Sequence, residues 1–442
     1  MADAATRGLG VVDASLIVVG SIVGAGIFFV SPSVARHVAS PAAFLAVWLV
    51  GGGVALAGAL SNGELGGMFP RSGGEYVYLR EAYGPPLGFL SGWTSFLIVF
   101  PGSIATLAYG LGMTVAPVLG FGASAVAMKT VGVVAIVALT GVNAFGLRPG
   151  KWTQNVLSVT KLLAFAGLLG MGLLVRHGTR SGLVPFFAPG DRAPDMAIAL
   201  VSVFFAYSGW NAATYVAGEM RDPRRSLGRA LALGTALCIA LYLAVNAAYL
   251  RALPIAALRD ATDPARATAM TLLGGAAAAV LSPLVAVCAL SSMQASVLVG
   301  PRIYYAMAVD GLFFAPFGRL HRTTGVPLLA LLMQGAISLV LLVTGSFDQV
   351  LKFTTFAMVA FATLTVGAVL VLRFRRPHEP RAFPVPGYPW VPVAFIAVNA
   401  FVLWSVLTAG VREALYGLGI VATGLPAYAA FRARSRPQEI AR

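Results

Sequence analysis

The sequence contains about twelve apolar runs that are each long enough to cross the hydrocarbon core of a lipid bilayer. A core of about 30 Å takes roughly 20 residues of α-helix at 1.5 Å each. The runs cover residues 11–35, 41–68, 87–118, 124–147, 152–175, 195–219, 228–250, 270–300, 327–345, 349–373, 390–410 and 412–432. Because backbone polar groups must be satisfied within each spanning segment, the runs predict an all-α integral membrane protein.

The composition agrees with a membrane protein and excludes a soluble globular domain. Of the 442 residues, 58% are hydrophobic and only 11% are charged, whereas soluble domains carry about 25% charged residues. The first run is too long for a cleavable signal peptide, so we expect it to remain in the protein.

The net charge of +15 is unevenly distributed between the loops. If the runs alternate across the membrane, about twenty basic residues fall on one side and about ten on the other. The crowded side includes clusters at 221–229, 373–381 and 432–442. By the positive-inside rule, we expect a multi-pass protein of the cytoplasmic (inner) membrane with both termini in the cytoplasm. No aromatic-interleaved basic face accompanies the charge, which argues against a nucleic-acid partner.

Residues that carry metal, redox or hydrolytic chemistry are few and scattered. Cys238 and Cys288 both lie inside apolar runs, so we expect two free thiols and no disulfide. The 4 histidines fall in loops, no run carries paired carboxylates, and the HExxH and GxSxG patterns are absent. The sequence therefore predicts neither an enzyme nor a bound metal or cofactor.

Three glycines, Gly20, Gly24 and Gly26, lie in the first run within the stretch GSIVGAGIF. Gly24 is about thirteen residues, or roughly 20 Å, into the run, which is close to the middle of the bilayer. One interpretation is a GxxxG face on which a second helix packs. The other is a point where the helix unwinds, because each glycine lowers helix stability by about 1 kcal/mol relative to alanine. Unwound backbone at this depth is tolerated only in a protein-lined site or cavity.

The sixth run contains a similar weak point, with Ser208 and Gly209 near its middle and aromatic residues on both sides. A glycine-interrupted segment at the same place in each half of a chain is the sequence sign of inverted repeats with a discontinuous helix in each. We therefore predict a single transporter domain over 1–442, with repeats at 11–175 and 195–373 and two further spans at 390–432.

Several motifs resemble those of permeases of the amino acid, polyamine and organocation superfamily. GSIVGAGIF is similar to the first-helix motif, and FAYSGWN is similar to the sixth-helix motif of the L-type amino acid transporter branch. Further segments that match in order are SGGEYVYLREAYG, FPGSIATLAYG, NAFGLRPGKWTQNVLSVTKLLAF, GEMRDPRRSLGRA, PRIYYAMAVDGLF and RAFPVPGYPWVP. The resemblance implies a LeuT-like fold of about 12 transmembrane helices, with a 5+5 inverted repeat, two C-terminal helices and broken helices 1 and 6.

The same resemblance implies that an α-amino acid binds between the two broken helices. Its carboxylate would face the backbone N–H groups of Gly24, Ala25 and Gly26. A half-helix that begins at mid-membrane presents such groups, and the positive end of its dipole, to an anion. The ammonium would be held by free carbonyls, those of Ile22, Phe205, Ala206 and Ser208. In this branch the position of Ser208 is often glycine and that of Ala25 is often serine, a departure that bears on selectivity.

The resemblance also implies roles for two side chains. Phe205 would be a thin gate that closes over the substrate on the outer side, and its alternative is ordinary packing. Lys161 lies about 14 Å from Trp152 and so near mid-membrane. In the family this lysine takes the place of a bound sodium ion, and its alternative is a static tether. Its partners would be the carbonyl of Val23 and the hydroxyls of Ser291, Ser292 or Ser296.

We expect no Asp or Glu near this pocket, because Glu64 and Glu219 lie towards the ends of their runs. This favours a secondary transporter of neutral L-amino acids that works by alternating access without sodium, by exchange or linked to protons. The alternatives are a permease for cationic amino acids or polyamines, since aromatic rings can replace a carboxylate, and a non-transporting amino acid sensor. Beyond substrate and membrane lipid we expect no heavy-chain partner, because the loop between the third and fourth runs lacks the cysteine that joins animal relatives to theirs.

Overall fold

The computed structural model describes residues 8–24, 26–122, 124–174, 188–261, 264–274, 277–345, 347–409 and 411–439. Regular structure in these ranges is helical, and one parallel β-bridge joins Leu9 to Met220. The helices of the first half are α1 (Val11–Ile22), α2 (Gly26–Ala35), α3 (Pro41–Met68), α4 (Glu75–Tyr83), α5 (Pro85–Thr94), α6 (Phe100–Val118), α7 (Ala125–Ala144) and α8 (Leu147–Leu174). Those of the second half are α9 (Ala193–Ala206), α10 (Pro223–Ala252), α11 (Ile255–Asp260), α12 (Pro264–Leu273), α13 (Ala277–Val299), α14 (Pro301–Val309), α15 (Leu328–Thr344), α16 (Phe347–Arg375), α17 (Trp390–Ala409) and α18 (Val411–Glu439).

Six helical stretches within the described residues are long and apolar enough to cross a membrane. They are Pro41–Met68, Pro85–Val118, Ala125–Ala144, Pro223–Ala252, Pro283–Val309 and Ala357–Arg375. Shorter apolar helices, Val11–Ile22, Leu328–Thr344, Trp390–Trp404 and Leu418–Ala433, follow four of the remaining predicted runs. The protein is thus an all-helical multi-pass membrane protein, and the total of about twelve spans stays a prediction.

The first predicted run is interrupted where its glycines cluster. α1 ends at Ile22, Val23 has a non-helical ψ of 77°, and α2 begins at Gly26. The N–H of Val23 still donates to the Val19 carbonyl at 2.9 Å, so the helix ends with a regular last turn. The end of α1 and the start of α2 therefore meet near the middle of the run.

The sixth predicted run is interrupted as well. α9 ends at Ala206, a turn follows, and a 3₁₀ helix, here called the 3₁₀ segment, covers Ala212–Glu219. Gly209 in the turn has a φ of +98°, a left-handed conformation that favours glycine. A β-carbon at Gly209 would collide with the hydroxyl of Ser21, so the glycine allows the second interruption to approach the end of α1.

Two predicted runs differ from the observed elements. The third, 87–118, passes through a π-helical turn at Ser95–Val99 between α5 and α6, a feature that is frequent at functional sites. The eighth, 270–300, is divided, because α12 ends at Leu273 and α13 begins at Ala277. Both differences arise because hydropathy is averaged over a window and does not detect a local change in backbone hydrogen bonding.

α1 lies at the centre of the fold, packed against α8, α10 and α13. Gly234 of α10 allows a close approach, since a β-carbon there would lie 2.7 Å from the Val18 side chain. The Ser15 hydroxyl adds a hydrogen bond to the Ala230 carbonyl at 3.2 Å. These contacts determine where the end of α1 stands relative to the other helices.

Buried ion pairs join helix ends on the predicted cytoplasmic side. Glu64 near the end of α3 is 1% exposed and accepts from Arg373 at 2.7 Å and from Arg381 at 3.0 Å. Glu219 at the end of the 3₁₀ segment pairs with Arg302 at 2.8 Å. Neither carboxylate lines the cavity between the interrupted helices, so both are assigned to structure.

Candidate functional site

The two interruptions face one cavity with a volume of about 180 Å³. A cavity volume of only about 10–15 Å³ is enough to hold one water molecule. This cavity therefore has room for a small solute. Ile22, Gly24 and Gly26 line it from the first interruption, and Ala206 and Ser208 line it from the second. The structure therefore brings these predicted substrate-binding residues together. Two other predicted positions, Ala25 and the side chain of Phe205, lie outside the described residues.

Backbone groups at the first interruption are partly engaged. The Gly24 N–H donates to the Ile22 carbonyl at 2.8 Å, so it is not free for an anion unless this turn opens. Gly26 begins α2, and the first N–H groups of a helix have no partner within it. A β-carbon at Gly24 would lie 3.0 Å from the Ser292 hydroxyl, which leaves little room for any larger residue.

Gly20 has a different environment from the other two glycines. A β-carbon at Gly20 would collide with the Gln154 side chain of α8 and would lie 3.0 Å from the Ser158 hydroxyl. Gly20 is thus a small residue at a helix contact, whereas Gly24 and Gly26 line the cavity. The two interpretations of the glycine motif apply to different residues within it.

Tyr242 of α10 connects the two interruptions. Its hydroxyl lies 2.8 Å from the Ile22 carbonyl and 3.1 Å from the Ala206 carbonyl. The ring is fully buried, with centroids 5.5 Å from Trp48 and 5.0 Å from Tyr207. The two carbonyls are therefore not free, contrary to the sequence-based expectation, although each retains a second lone pair. Sequence reasoning missed Tyr242, because an apolar run gives no signal that separates it from a core tyrosine.

Lys161 of α8 is fully buried against the end of α1. Its ammonium donates to the carbonyls of Gly20 at 3.1 Å and Val23 at 2.7 Å. Carbonyls at a helix C-terminus lack helical partners, and the dipole favours a cation there. The Ser292 hydroxyl of α13 shares its single hydrogen between the same two carbonyls, with the Gly20 oxygen at 2.8 Å and the Val23 oxygen at 3.5 Å. Lysine and serine therefore hold α8 and α13 to one helix end through shared acceptors.

The other two serines predicted beside Lys161 make different contacts. Ser296 donates to the Ser292 carbonyl at 3.0 Å and lines the cavity. The Ser291 hydroxyl lies 3.3 Å from that of Ser158, in the contact between α8 and α13. Ser292 is thus the serine that shares acceptors with Lys161.

Glu75 is a carboxylate at the cavity that sequence reasoning missed. It begins α4, outside the predicted runs, yet lines the cavity together with Asn211 and Tyr215. The residue is 8% exposed, and its Oε1 accepts the Asn211 amide at 2.7 Å. Burial raises the pKa of Glu75 to about 7, against the opposing effect of hydrogen bonds from Asn211 and Tyr215. The expectation of no Asp or Glu near the pocket is therefore wrong, because the start of α4, which lies between two apolar runs, contacts Asn211 and reaches the cavity.

The rest of the cavity wall is mostly apolar, with a few hydroxyls. The apolar part includes Val54, Phe100, Leu107, Phe204, Trp210 and Phe395, and the hydroxyls include Ser103, Thr106, Ser296 and Thr354. The rings of Trp210 and Phe395 pack edge to face with centroids 5.5 Å apart. Such a wall suits an uncharged ligand side chain.

Comparison with known proteins gives matches along almost the whole chain. The serine/threonine exchanger SteT of Bacillus subtilis is 30% identical over 431 residues, which cover 96% of this chain and 97% of the relative. The large neutral amino acids transporter small subunit 2 of Homo sapiens is 30% identical over 428 residues, with coverages of 95% and 79%. The b(0,+)-type amino acid transporter 1 of Mus musculus is 29% identical over 433 residues, with coverages of 96% and 87%.

The family model described as amino acid permease matches residues 9–422. This match spans both helix interruptions, the cavity between them and the buried lysine of α8. A similarity of this extent cannot come from one shared motif, and the relatives are transporters and not enzymes. The chain therefore belongs to the amino acid permease family.

Proposed function

We propose that this protein is a secondary transporter that moves neutral L-amino acids across the cytoplasmic membrane by alternating access. The observation that carries the proposal is the cavity between two interrupted helices, which offers helix-terminal N–H groups and main-chain carbonyls to one zwitterion. The relatives' names, an exchanger of serine and threonine and a transporter of large neutral amino acids, support it. The proposal includes a LeuT-like fold of about 12 spans with repeats at 11–175 and 195–373, and both termini in the cytoplasm.

Main-chain groups hold both charges of the amino acid in this proposal. The carboxylate binds the N–H groups of Gly24, Ala25 and Gly26 at the start of α2, where the dipole favours an anion. Gly24 gives up its bond to the Ile22 carbonyl when the anion binds. The ammonium binds carbonyls of the two interruptions, those of Ile22, Phe205, Ala206 and Ser208.

Tyr242 supports the assignment of the ammonium site. Its single O–H is shared between the Ile22 and Ala206 carbonyls, at 2.8 and 3.1 Å, in the place where an ammonium N–H would donate. Acceptors from two interruptions thus converge on one donor. Phe205, in the last turn of α9, is proposed to close over the bound amino acid.

The wall favours neutral side chains, whereas Glu75 supports a second candidate. A carboxylate that lines the cavity can pair with a cationic amino acid or a polyamine. One oxygen of Glu75 already accepts the Asn211 amide at 2.7 Å, so we assign the neutral substrates first and keep the cationic ones as the alternative.

Sodium independence rests on Lys161. A fixed ammonium that donates to the Gly20 and Val23 carbonyls leaves no electrostatic incentive for a second cation, because like charges a few ångströms apart in a low-dielectric interior repel strongly. Transport is then driven by exchange or linked to protons.

The test is uptake by the purified chain in proteoliposomes, with labelled serine, leucine, arginine and putrescine in separate assays. We expect uptake of the neutral amino acids, stimulated by amino acid inside the vesicles and unchanged when choline replaces sodium. Preference for arginine or putrescine would favour the second candidate. Binding without uptake would indicate a sensor, or a need for a partner subunit such as the human relative's name implies for that protein.

A further inference from the structure

Glu75 lies where α4 meets the chain that follows the second interruption. The Gly73 N–H donates to the Tyr215 carbonyl at 3.3 Å, and a β-carbon at Gly74, which has a φ of +51°, would collide with the Tyr215 ring. The Asn211 amide donates to Glu75 Oε1 at 2.7 Å and to the Tyr215 hydroxyl at 3.0 Å. This contact between Gly73, Gly74, Glu75, Asn211 and Tyr215 is called the α4 seam.

Among the described residues, four arginines of α4 and of helices α14 and α16 are engaged with groups other than Glu75. Arg80 pairs with Asp310, Arg302 with Glu219, Arg373 with Glu64, and Arg375 with the Ala82 carbonyl. The described titratable groups that face Glu75 are Tyr78 of its own helix and Tyr215 of the 3₁₀ segment. Neither α5 nor the π-helical turn contributes a titratable side chain. A buried carboxylate without a cation is costly, and such a group is neutralised by a proton.

We propose that Glu75 is a proton-binding site that makes transport proton-dependent, an inference that rests on the proposed function. With the α4 seam closed, the carboxyl is buried and keeps the proton that it took up from a hydronium ion before the seam closed. When the seam opens towards the cytoplasm, water reaches the carboxyl, the O–H bond breaks, and the proton passes to that water and leaves a carboxylate. Closing the seam takes up a proton again, so transport slows as the pH on that side rises.

The geometry of the seam suits both protonation states. As a carboxylate, Glu75 only accepts hydrogen bonds, whereas the neutral acid can also donate, for example to the Tyr215 oxygen. Because burial raises the pKa of Glu75 to about 7, both states are accessible near neutral pH. A proton fits this site better than a substrate cation, since the carboxyl lies between α4 and the 3₁₀ segment with an amide already on one oxygen.

The test is the rate of amino acid exchange in proteoliposomes as the internal pH is varied from about 6 to about 8. A group with a pKa near 7 is about 91% protonated at the lower pH and about 9% protonated at the higher, so the native rate should fall about tenfold. Glu75→Gln, which is permanently neutral, should keep the higher rate at both. Glu81→Gln, in the same helix but in ion pairs with Arg71 and Arg376, is the matched control and should follow the native profile.

Two further variants cover the case in which Glu75→Gln does not transport. Tyr215→Phe removes a hydroxyl that stabilises the carboxylate, so the midpoint of the pH profile should move to higher pH. Glu75→Asp keeps a carboxyl group, so its exchange rate should still fall as the internal pH rises. A merely structural role of Glu75 would leave the midpoint in place.

Three results would overturn the proposal: a native rate that is flat over this pH range, a native profile that persists in Glu75→Gln, or a Tyr215→Phe midpoint that does not move. Loss of arginine uptake alone in Glu75→Gln, with the pH profile unchanged, would make Glu75 a counter-charge for substrate. Absence of uptake by the native protein at every pH would refute the proposed function itself, and the transport role of Glu75 with it.

Discussion

Replacing Lys161 with methionine tests the bridge between α8 and the end of α1. Methionine keeps most of the buried stem and removes the ammonium, which donates to the Gly20 and Val23 carbonyls at 3.1 and 2.7 Å. A hydrogen bond from a charged group contributes about 1.5–3 kcal/mol. The ammonium makes two such bonds, and its desolvation offsets part of their combined contribution. We therefore take the contribution of one bond as the net value.

A change of about 1.5–3 kcal/mol corresponds to a tenfold to hundredfold change in an equilibrium constant, since each tenfold takes about 1.4 kcal/mol. If only one of the two transport states contains this bridge, Lys161→Met should shift the balance of inward-facing and outward-facing states by that factor and lower turnover. Substrate affinity should change by less than about threefold, because Lys161 contacts neither Gly24 nor Gly26 through these bonds.

Two measurements separate turnover from binding in this variant. Exchange rates in proteoliposomes report turnover, and thermal stabilisation by an amino acid reports affinity. Thiol labelling of Ser103→Cys in the cavity wall reports the open state, since both native cysteines are buried.

The matched control is Lys151→Met in α8, the helix that also carries Lys161. Lys151 pairs with Asp13 at 3.1 Å and is 19% exposed. The control should change these quantities less than Lys161→Met does, because Lys151 contacts Asp13 in the first turn of α1 and not the end of α1 at the interruption.

The account of Lys161 would be refuted by either of two results. Sodium-stimulated uptake in the native protein would show that the ammonium does not take the place of an ion. An unchanged transport rate in Lys161→Met would reduce the lysine to a static tether. Ser292→Ala removes a neutral donor to the same carbonyls, and we expect a smaller effect of about 1 kcal/mol in the same direction.

Gly26→Val should abolish substrate-induced thermal stabilisation of a folded protein, because its methyl groups fill the space of the carboxylate; retained stabilisation would assign Gly26 to helix packing. Phe205→Ala should slow exchange far more than it weakens binding, since a gate acts on the conformational step, and equal losses in both assays would make Phe205 a pocket wall. Tyr242→Phe removes the donor that the Ile22 and Ala206 carbonyls share and should lower the stability of the empty protein by about 1–3 kcal/mol. The substrate ammonium should restore part of that loss, so a ligand-induced thermal shift no larger than that of the native protein would contradict the assignment.

Both helix interruptions could be predicted from the sequence because the cause is local. Glycine and serine lower helix stability wherever they cluster, and the structure ends α1 at Ile22 and α9 at Ala206, beside the predicted weak points. The multi-pass helical class is also confirmed. Hydropathy did not detect the π-helical turn at Ser95–Val99, which changes the hydrogen-bond pattern without changing the composition.

The sequence by itself determined that the chain lies in a membrane and where two of its helices weaken, because hydropathy and helix propensity are sums over neighbouring residues. Tertiary structure alone decided which polar groups meet at the cavity. Tyr242 bonds to a carbonyl 220 residues away, and Glu75 bonds to an amide 136 residues away. It also decided that Gly20 packs against α8 while Gly24 lines the cavity, although both belong to one motif. Such pairings depend on how α1, α4, α8 and α10 pack together, and the spacing of residues along the chain does not encode that arrangement.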